Sequence, residues 1–560
     1  MSTPPFDRFV KFPELTELLE GMARDHPTLL ELSVIGKSYE DREIWLCTVT
    51  NTETGPHHEK PAMWIDANIH ATELTGSVAA LHLLHRLVSG YGNDPAVTHV
   101  LDTRCFYIVP RLNPDGAELA MAERPRYLRS SVRPWPRTDQ QDGLIEEDID
   151  VDGRILTMRI PDSNGAWKIS AADPRLMVPR DPAEEGPGRY YRLLTEGRIE
   201  GYDGVSIPYA PPLSGLDLNR NYPVDWRHPG EQRGAGPYPT SEPEIRATVQ
   251  AIVERPNIGA FIQYHTQSGV HLRPYGNKAD DALPWWDLRV YTAIGAKATE
   301  FTGYPAVSVY HDFRYDPKDV ITGVADDWAY DHLGVFAWTT EFWSPLRAAG
   351  ITDFKFIDWH LDHPFDDDLK LLAWSDEELG GGGFVEWYPW DHPQLGAVEL
   401  GGWHDEFCFR NPPRHLLEAE VAPHSELAIW HLAISPRLSV RETDVLPLGD
   451  DAWRVRVVVE NTGWLPTNVT QRAIERKVVR PLEAEITSEV DVIGERRVEL
   501  GQLTGRALKP SMLGAGDPTT DRAKAEWIVR APAGTEVDVE LRHQRAGVVR
   551  CRVALEATPA

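Results

Sequence analysis

In 63-MWIDANIHATELTGS-77 a histidine and a glutamate, His70 and Glu73, are spaced H-x-x-E. Imidazole and carboxylate are both good zinc ligands, and this spacing across a turn aims them at one point. A second histidine, His265, closes the apolar run 258-IGAFIQYH-265. Two histidines and one glutamate leave a fourth position open on zinc, as a catalytic site requires. Water at that position has its pKa lowered by the metal. Hydrolysis also needs a group that takes the proton of the water and hands one to the leaving amine, and a single glutamate can do both. Glu341, the one charged residue of 337-AWTTEFW-343, is the candidate, because a carboxylate is costly inside an apolar strand unless it has a task or a partner. Asn219 and Arg220 in 216-LDLNRNYP-223 offer a neutral donor and a planar cationic fork, a pair suited to gripping a carboxylate. Each piece also has a structural reading: a first-turn Glu favoured by a helix dipole, a buried Glu paired with a base, an ordinary surface loop.

The elements around these residues place them together. The run Met63–Trp64–Ile65 leads to a strand end over 63–67, and 78-VAALHLLHRLV-88 repeats its apolar residues at helical spacing, predicting a helix over 75–89. His70 and Glu73 therefore lie where a core strand hands over to a helix, outside the carboxyl end of a strand, where ligands bind in open α/β sheets. A helix over 12–25, strands at 28–36 and 41–50, a short helix near 95–103, strand 105–110, helices at 241–255 and 285–301, and a strand over 333–343 complete the pattern. Ser241 and Glu244 stand in capping-box spacing with Pro243 early in the first turn. The fold class is α/β, a mixed central sheet flanked by helices, because the opening strands come as a pair. Residues 111–116, RLNPDG, carry turn chemistry.

The 560 residues allow two to four domains, and 41% apolar content is enough for real cores. The 57 basic and 86 acidic residues leave a net charge of −29. That argues against nucleic acid and anionic membranes as partners. No apolar run is long enough to span a bilayer, and the start, MSTPPFDRFVKF, carries no secretory pattern. Four scattered cysteines without C-x-x-C spacing read as reduced thiols. The expectation is a cytoplasmic chain. A catalytic domain over 1–435 carries a polar, Pro- and Gly-rich insertion at about 130–212. Within it, 148-DIDVDGRI-155 is similar to the start of a calcium loop, with Asp148, Asp150 and Asp152 as candidate ligands. Arg159 stands where such a loop needs Glu, which favours a plain hairpin tip. From 436 to 560, short alternating segments separated by turns predict a β-sandwich without catalytic residues.

Together these motifs resemble the zinc carboxypeptidases over roughly residues 10–430. The resemblance rests on His70-x-x-Glu73, Asn113-Pro114-Asp115-Gly116, Asp217-x-Asn219-Arg220-Asn221, His265 in YHTQSG, Asp327-Trp328-x-Tyr330 and Glu341. It implies one zinc per chain on His70, Glu73 and His265, with Glu341 as general base and acid. Asn219 and Arg220 would hold the C-terminal carboxylate of a peptide. An arginine that polarises the scissile carbonyl would be Arg129 in 123-ERPRYLRSS-131, with Arg124 and Arg126 as competitors. The tyrosine that caps the substrate would be Tyr315 or Tyr310. The residue before Asp-Trp-x-Tyr, Asp326, would form the floor of the pocket for the terminal side chain and prefer Lys or Arg there. Its competing role is to cap a turn. Thr72 stands where many relatives have Arg. The insertion could roof the site and restrict it to short peptides, and no pro-segment is visible ahead of the catalytic region.

Three functions follow. One is a metallocarboxypeptidase acting on peptides with a free C-terminus. Another is a zinc amidohydrolase of the same fold acting on N-acyl amino acids or cell-wall peptides. The last is a non-catalytic binding protein, against which the intact set of His70, Glu73, His265 and Glu341 argues.

Overall fold

The computed structural model describes residues 4–185, 188–314, 316, 318, 321–508 and 516–556. Helix α1 (Phe12–Asp25) precedes an antiparallel pair, β1 (Leu30–Lys37) and β2 (Glu43–Val49). Then come β3 (Ala62–Ala67), α2 (Thr75–Gly90), α3 (Pro95–Thr103) and β4 (Cys105–Val109). The expected loop at 111–116 turns within two residues into helix α4 (Pro114–Ala120), because the Asn113 side chain caps it by accepting from Gly116 N–H at 3.0 Å.

The predicted insertion is not shapeless. It holds strands β5 (Gly143–Glu146), β6 (Thr157–Pro161), β7 (Trp167–Ile169), β8 (Met177–Pro179), β9 (Tyr191–Thr195) and β10 (Gly197–Glu200). The main sheet resumes after α5 (Pro243–Val253) with β11 (Ile258–Thr266) and β12 (Val270–Arg273), then α6 (Trp285–Thr302), β13 (Ala306–Ser308), the one-turn helices α7 (Val309–Asp312) and α8 (Ala325–Trp328), and β14 (Phe336–Phe342). Short helices α9 (Pro345–Ala348) and α10 (Phe356–Leu361), helix α11 (Phe365–Glu378), the hairpin β15 (Phe384–His392) and β16 (Gly396–Trp403), and α12 (Arg414–Ala433) follow. The capping box expected before α5 does not form. Glu244 accepts from Tyr39 N–H and Ser241 hydrogen-bonds Asn221, whose side chain also takes Glu242 N–H.

The central sheet has eight strands in the order β1-β2-β4-β3-β11-β14-β12-β13. Its middle pairs, β4–β3, β3–β11 and β11–β14, are parallel, and the flanking ones include antiparallel pairs. The sheet is mixed, as expected. β3, β4 and β11 are buried along their whole length, as strands covered on both faces must be. Helix α2 lies close on this sheet. A Cβ at Gly76 would stand 3.0–3.1 Å from Tyr264 atoms, a crowded contact that glycine avoids. A six-stranded sheet, β15-β16-β6-β9-β7-β8, joins the insertion to the later hairpin.

Beyond Leu438 the chain is β17 (Leu438–Gly449), β18 (Ala452–Asn461), α13 (Gln471–Arg476), β19 (Leu482–Ile486), β20 (Asp491–Ile493), β21 (Arg497–Gly501), β22 (Arg522–Arg530), β23 (Glu536–His543) and β24 (Gly547–Ala554). Two four-stranded antiparallel sheets share one apolar core that includes Val455, Val457, Trp527, Val539 and Leu541. The alternating burial along β18 is the period-two pattern read in the sequence. Among the described residues no helix is long and apolar enough to cross a membrane.

Candidate metal and substrate site

The turn after β3 is shaped by Asn68. It adopts a left-handed backbone (φ 59°), which Asn tolerates better than most residues. Its amide donates to His70 C=O at 2.8 Å and Glu73 C=O at 3.3 Å. Asn113 pins the same turn from the side, donating to Ile69 C=O at 3.2 Å and to Ser130 C=O at 2.8 Å. The N-terminus of α2 receives no cap from its own N-cap residue, Leu74. Asn411, remote in sequence, accepts from Thr75 N–H and donates to Thr72 C=O.

These constraints bring His70 and Glu73 against His265, at the end of β11. One ligand atom from each lies within 4.8 Å of the others, and all three residues are buried. His70 Nδ1 is 2.8 Å from Glu73 Oε1, and His265 Nδ1 is 3.0 Å from Glu73 Oε2. The outer nitrogens decide the tautomers. His70 Nε2 faces Asp217 Oδ1 at 3.2 Å and His265 Nε2 faces Gln263 Oε1 at 2.7 Å, both acceptors, so each Nε2 carries the proton. Both Nδ1 atoms are then lone-pair donors, and they face each other at 3.1 Å. Two lone pairs and a carboxylate converging on one point fit a bound cation, and the nitrogen–oxygen donor set is that of zinc.

Support continues outward. Asp66, fully buried, accepts from Trp64 Nε1 and from Gln263 Nε2, each at 2.8 Å, so Gln263 is held with its carbonyl towards His265. Burial pushes the Asp66 carboxyl up to about 6, against the two hydrogen bonds. Gln263 and Asp66 were missed at the sequence level. The available signal was that Gln263, two residues before His265, shares its face of the strand. Asp217 accepts from Arg129 Nε at 3.0 Å and caps the 3₁₀ turn Leu218–Arg220 by accepting from Asn219 N–H at 2.9 Å. That turn presents Asn219 and Arg220. The Asn219 side-chain oxygen accepts from Ala325 N–H at 2.9 Å, which leaves the side-chain NH₂ for a ligand. The Arg220 guanidinium donates to Asn219 C=O.

A cavity of about 870 Å³ opens over the three ligand residues and is also lined by Arg129, Asn219, Arg220, Asp326 and Glu341. Glu341 pairs in register with His265 across β11 and β14, which puts both side chains on one face. Its Oε2 is buried and has no hydrogen-bond partner among the described residues. Burial first, then the Glu73 charge, push its pKa well above the ordinary range, while Arg129 opposes. Of the three arginines in 123–131, only Arg129 lines the cavity. It also bonds Glu73 at 3.3 Å. Asp326 is 4% exposed, faces the cavity and accepts from the neighbouring Asp327 N–H within α8, whose N-cap is Val324 with no side-chain cap.

Several sequence candidates sit elsewhere. Tyr315 lies outside the described residues. Tyr310 is not part of the cavity lining; its ring lies under the Arg314 guanidinium. Asp327 holds Gly276 N–H, and Tyr330 donates to Asp287, so these two motif residues brace the fold. The acidic loop differs from the expected calcium ligands. Asp148 and Asp150 gather with Glu196, while Asp152 turns to Arg154. Asp148 and Glu196 accept backbone N–H groups of 149–156, which is turn chemistry.

Comparison with known proteins adds a family. The model of the family described as zinc carboxypeptidase matches residues 15–354, and a domain of unknown function matches 437–554. Carboxypeptidase A2 of Rattus norvegicus is 25% identical over 342 residues, covering 59% of this chain and 61% of the relative. A zinc carboxypeptidase of Saccharothrix mutabilis subsp. capreolus is 30% identical over 129 residues, covering 23% of the chain and 28% of the relative. The solved carboxypeptidase A from Helicoverpa armigera aligns with a TM-score of 0.39 at 19% identity, covering 60% of this chain and 65% of that one. The chain spans about three-fifths of the length of the first curated relatives it matches.

Proposed function

Because the chain belongs to the zinc carboxypeptidase family, we propose that it is a metallocarboxypeptidase that removes single residues from the C-terminus of peptides. The observation that carries this reading is the facing pair of Nδ1 lone pairs with Glu73, in one cavity with Arg220 and Glu341. Zinc bound there supplies Lewis acidity, acidifying water and polarising a carbonyl. The side chains do the rest. Arg220, with the Asn219 amide, binds the terminal carboxylate and so fixes which peptide bond lies beside Glu341. Glu341 takes the proton of the attacking water and returns one to the leaving amine. Arg129 stands on the wall where its charge steadies the developing oxyanion. Peptides matched except for a free or amidated terminus test the reading. Release of one terminal residue from the free acid, and none from the amide, is expected. Cleavage only of N-acyl amino acids or muropeptides would replace it with an amidohydrolase.

Arg220→Ala follows from the same geometry. Losing a charge-assisted grip of about 1.5–3 kcal/mol lowers kcat/KM on free acids roughly ten- to hundredfold. The amidated peptide, poor from the start, changes little. Equal loss on both would remove Arg220 from terminus recognition.

Asp326 sets the terminal residue. A carboxylate in the pocket pairs with Lys or Arg and leaves an apolar side chain opposite an unpaired charge. Burial pushes this carboxyl up to about 6. It is therefore neutral below that pH and ionised above it. The ratio of kcat/KM for Lys-ended over Leu-ended peptides should climb as pH rises through about 6, and Asp326→Asn should flatten it. The ratio cancels titrations common to both substrates. A flat wild-type ratio, or a standing preference for Leu, would leave Asp326 with its local bond to Asp327 N–H alone.

A further inference from the structure

Among the described residues, ion pairs between the C-terminal sheets and the rest of the chain fall in two places. One is exposed, Arg550 on Glu59. The other is buried and falls on a single stretch, 325–334, that runs from the cavity wall to β14. Asp331, 2% exposed, accepts from Arg472 Nε at 3.0 Å, from the Arg472 and Arg476 terminal nitrogens, and from Tyr275 O–H at 2.9 Å. Asp287 takes the first two N–H groups of α13, those of Gln471 at 2.7 Å and Arg472 at 3.0 Å, together with Tyr330 O–H at 2.8 Å. Arg545, 3% exposed, donates to Gly334 C=O at 2.9 Å and to Leu333 C=O, and Thr470 O–H reaches the same Gly334 C=O at 2.7 Å. Gly334 has φ 65°, and a Cβ there would stand 2.5 Å from Ala473 Cα. The approach of α13 to this stretch is thus as close as a glycine permits.

The same stretch carries Asp326 into the cavity. Asp327 holds Gly276 N–H with both carboxylate oxygens at 3.1 Å, and Gly276, next to Tyr275, also lines the cavity. Gly276 and Asp326, which line the cavity, are therefore linked through Tyr275 and Asp331 to arginines of the C-terminal unit. The metal ligands lie just after β3 and at the end of β11, and among the described residues no hydrogen bond or ion pair joins them to the C-terminal unit. We propose that the C-terminal unit works as a specificity brace. Arg472, Arg476 and Arg545 are positioning residues that hold the 325–334 backbone and, through Asp331–Tyr275 and Asp327–Gly276, the geometry of the pocket that selects the terminal side chain. This gives the domain of unknown function a task in substrate choice, and it rests on the carboxypeptidase reading only for the identity of that choice. A buried carboxylate stripped of its partners is an uncompensated charge, so the segment must rearrange when the arginines are removed.

The test uses the full chain carrying Arg472→Ala and Arg476→Ala, with Glu59→Ala and Arg550→Ala as the control that cuts the exposed pair. Hydrogen exchange, zinc content and the Lys-over-Leu ratio of kcat/KM are read together. The brace predicts faster exchange in 325–334 and 275–276, unchanged exchange in 63–73 and 258–266, and full zinc. It also predicts a ratio moved by roughly three- to thirtyfold, mainly through KM. The control changes none of these. Unchanged exchange and ratio in the arginine variant would overturn the proposal, as would an equal shift in the control or a loss of zinc and of all turnover alike. If the double variant does not fold, Arg472→Lys, which keeps the charge but not the planar fork, is read in the same way. If the wild type releases no terminal residue from any peptide, the carboxypeptidase reading fails, and the exchange data still decide the brace.

Discussion

Glu341→Gln lowers kcat by about 10²–10⁴-fold, the contribution of one positioned acid–base group, while zinc content and stability stay near those of the wild type. The amide keeps the shape of a side chain whose Oε2 has no partner among the described residues, so no hydrogen bond to that atom is lost from the fold. What disappears is the proton acceptor beside His265 on the shared sheet face. Stopped turnover with intact metal separates this role from a ligand role. Near-normal kcat in the variant would take Glu341 out of the mechanism.

His70→Ala and His265→Ala each take away one of the facing Nδ1 donors, and metal content should fall from about one zinc per chain to near zero after dialysis. Gln263→Leu is graded. It removes the acceptor on His265 Nε2 and frees the ring to change tautomer, which weakens zinc binding by about 10–100-fold, the usual cost of losing an outer partner. It also strands the Asp66 oxygen that Gln263 now satisfies, so a lower melting temperature accompanies it. Full zinc in both histidine variants would reject the ligand assignment. Unchanged affinity in Gln263→Leu would reject the tautomer argument alone.

The parts of this site that were legible in the sequence are residues whose chemistry is unusual where they stand. Histidine or glutamate at the end of an apolar run is such a signal, and the structure brings His70, Glu73, His265 and Glu341 to one cavity. The mixed α/β sheet was legible because its covered strands, such as β3, read as short apolar runs and α2 as a longer one, whereas strict alternation marks β18 of the C-terminal sheets. What stayed hidden depends on long-range partners. Asn411 caps α2 from a remote part of the sequence. Asn221 and Tyr39 take the groups that a capping box would have used. Polar, glycine-rich text between 130 and 212 concealed short strands that pair mostly with one another, and β6 pairs with β16, far along the chain. Asp331 looked like one acid among many until the arginines of α13 were seen around it.

The most direct measurement adds zinc stepwise to the metal-free full chain while following release of the terminal amino acid from a free-acid peptide. The account predicts no release at the start, a rise in proportion to added zinc, and a break at about one zinc per chain. Release from the metal-free chain at the full rate, or none at any zinc level, would contradict it.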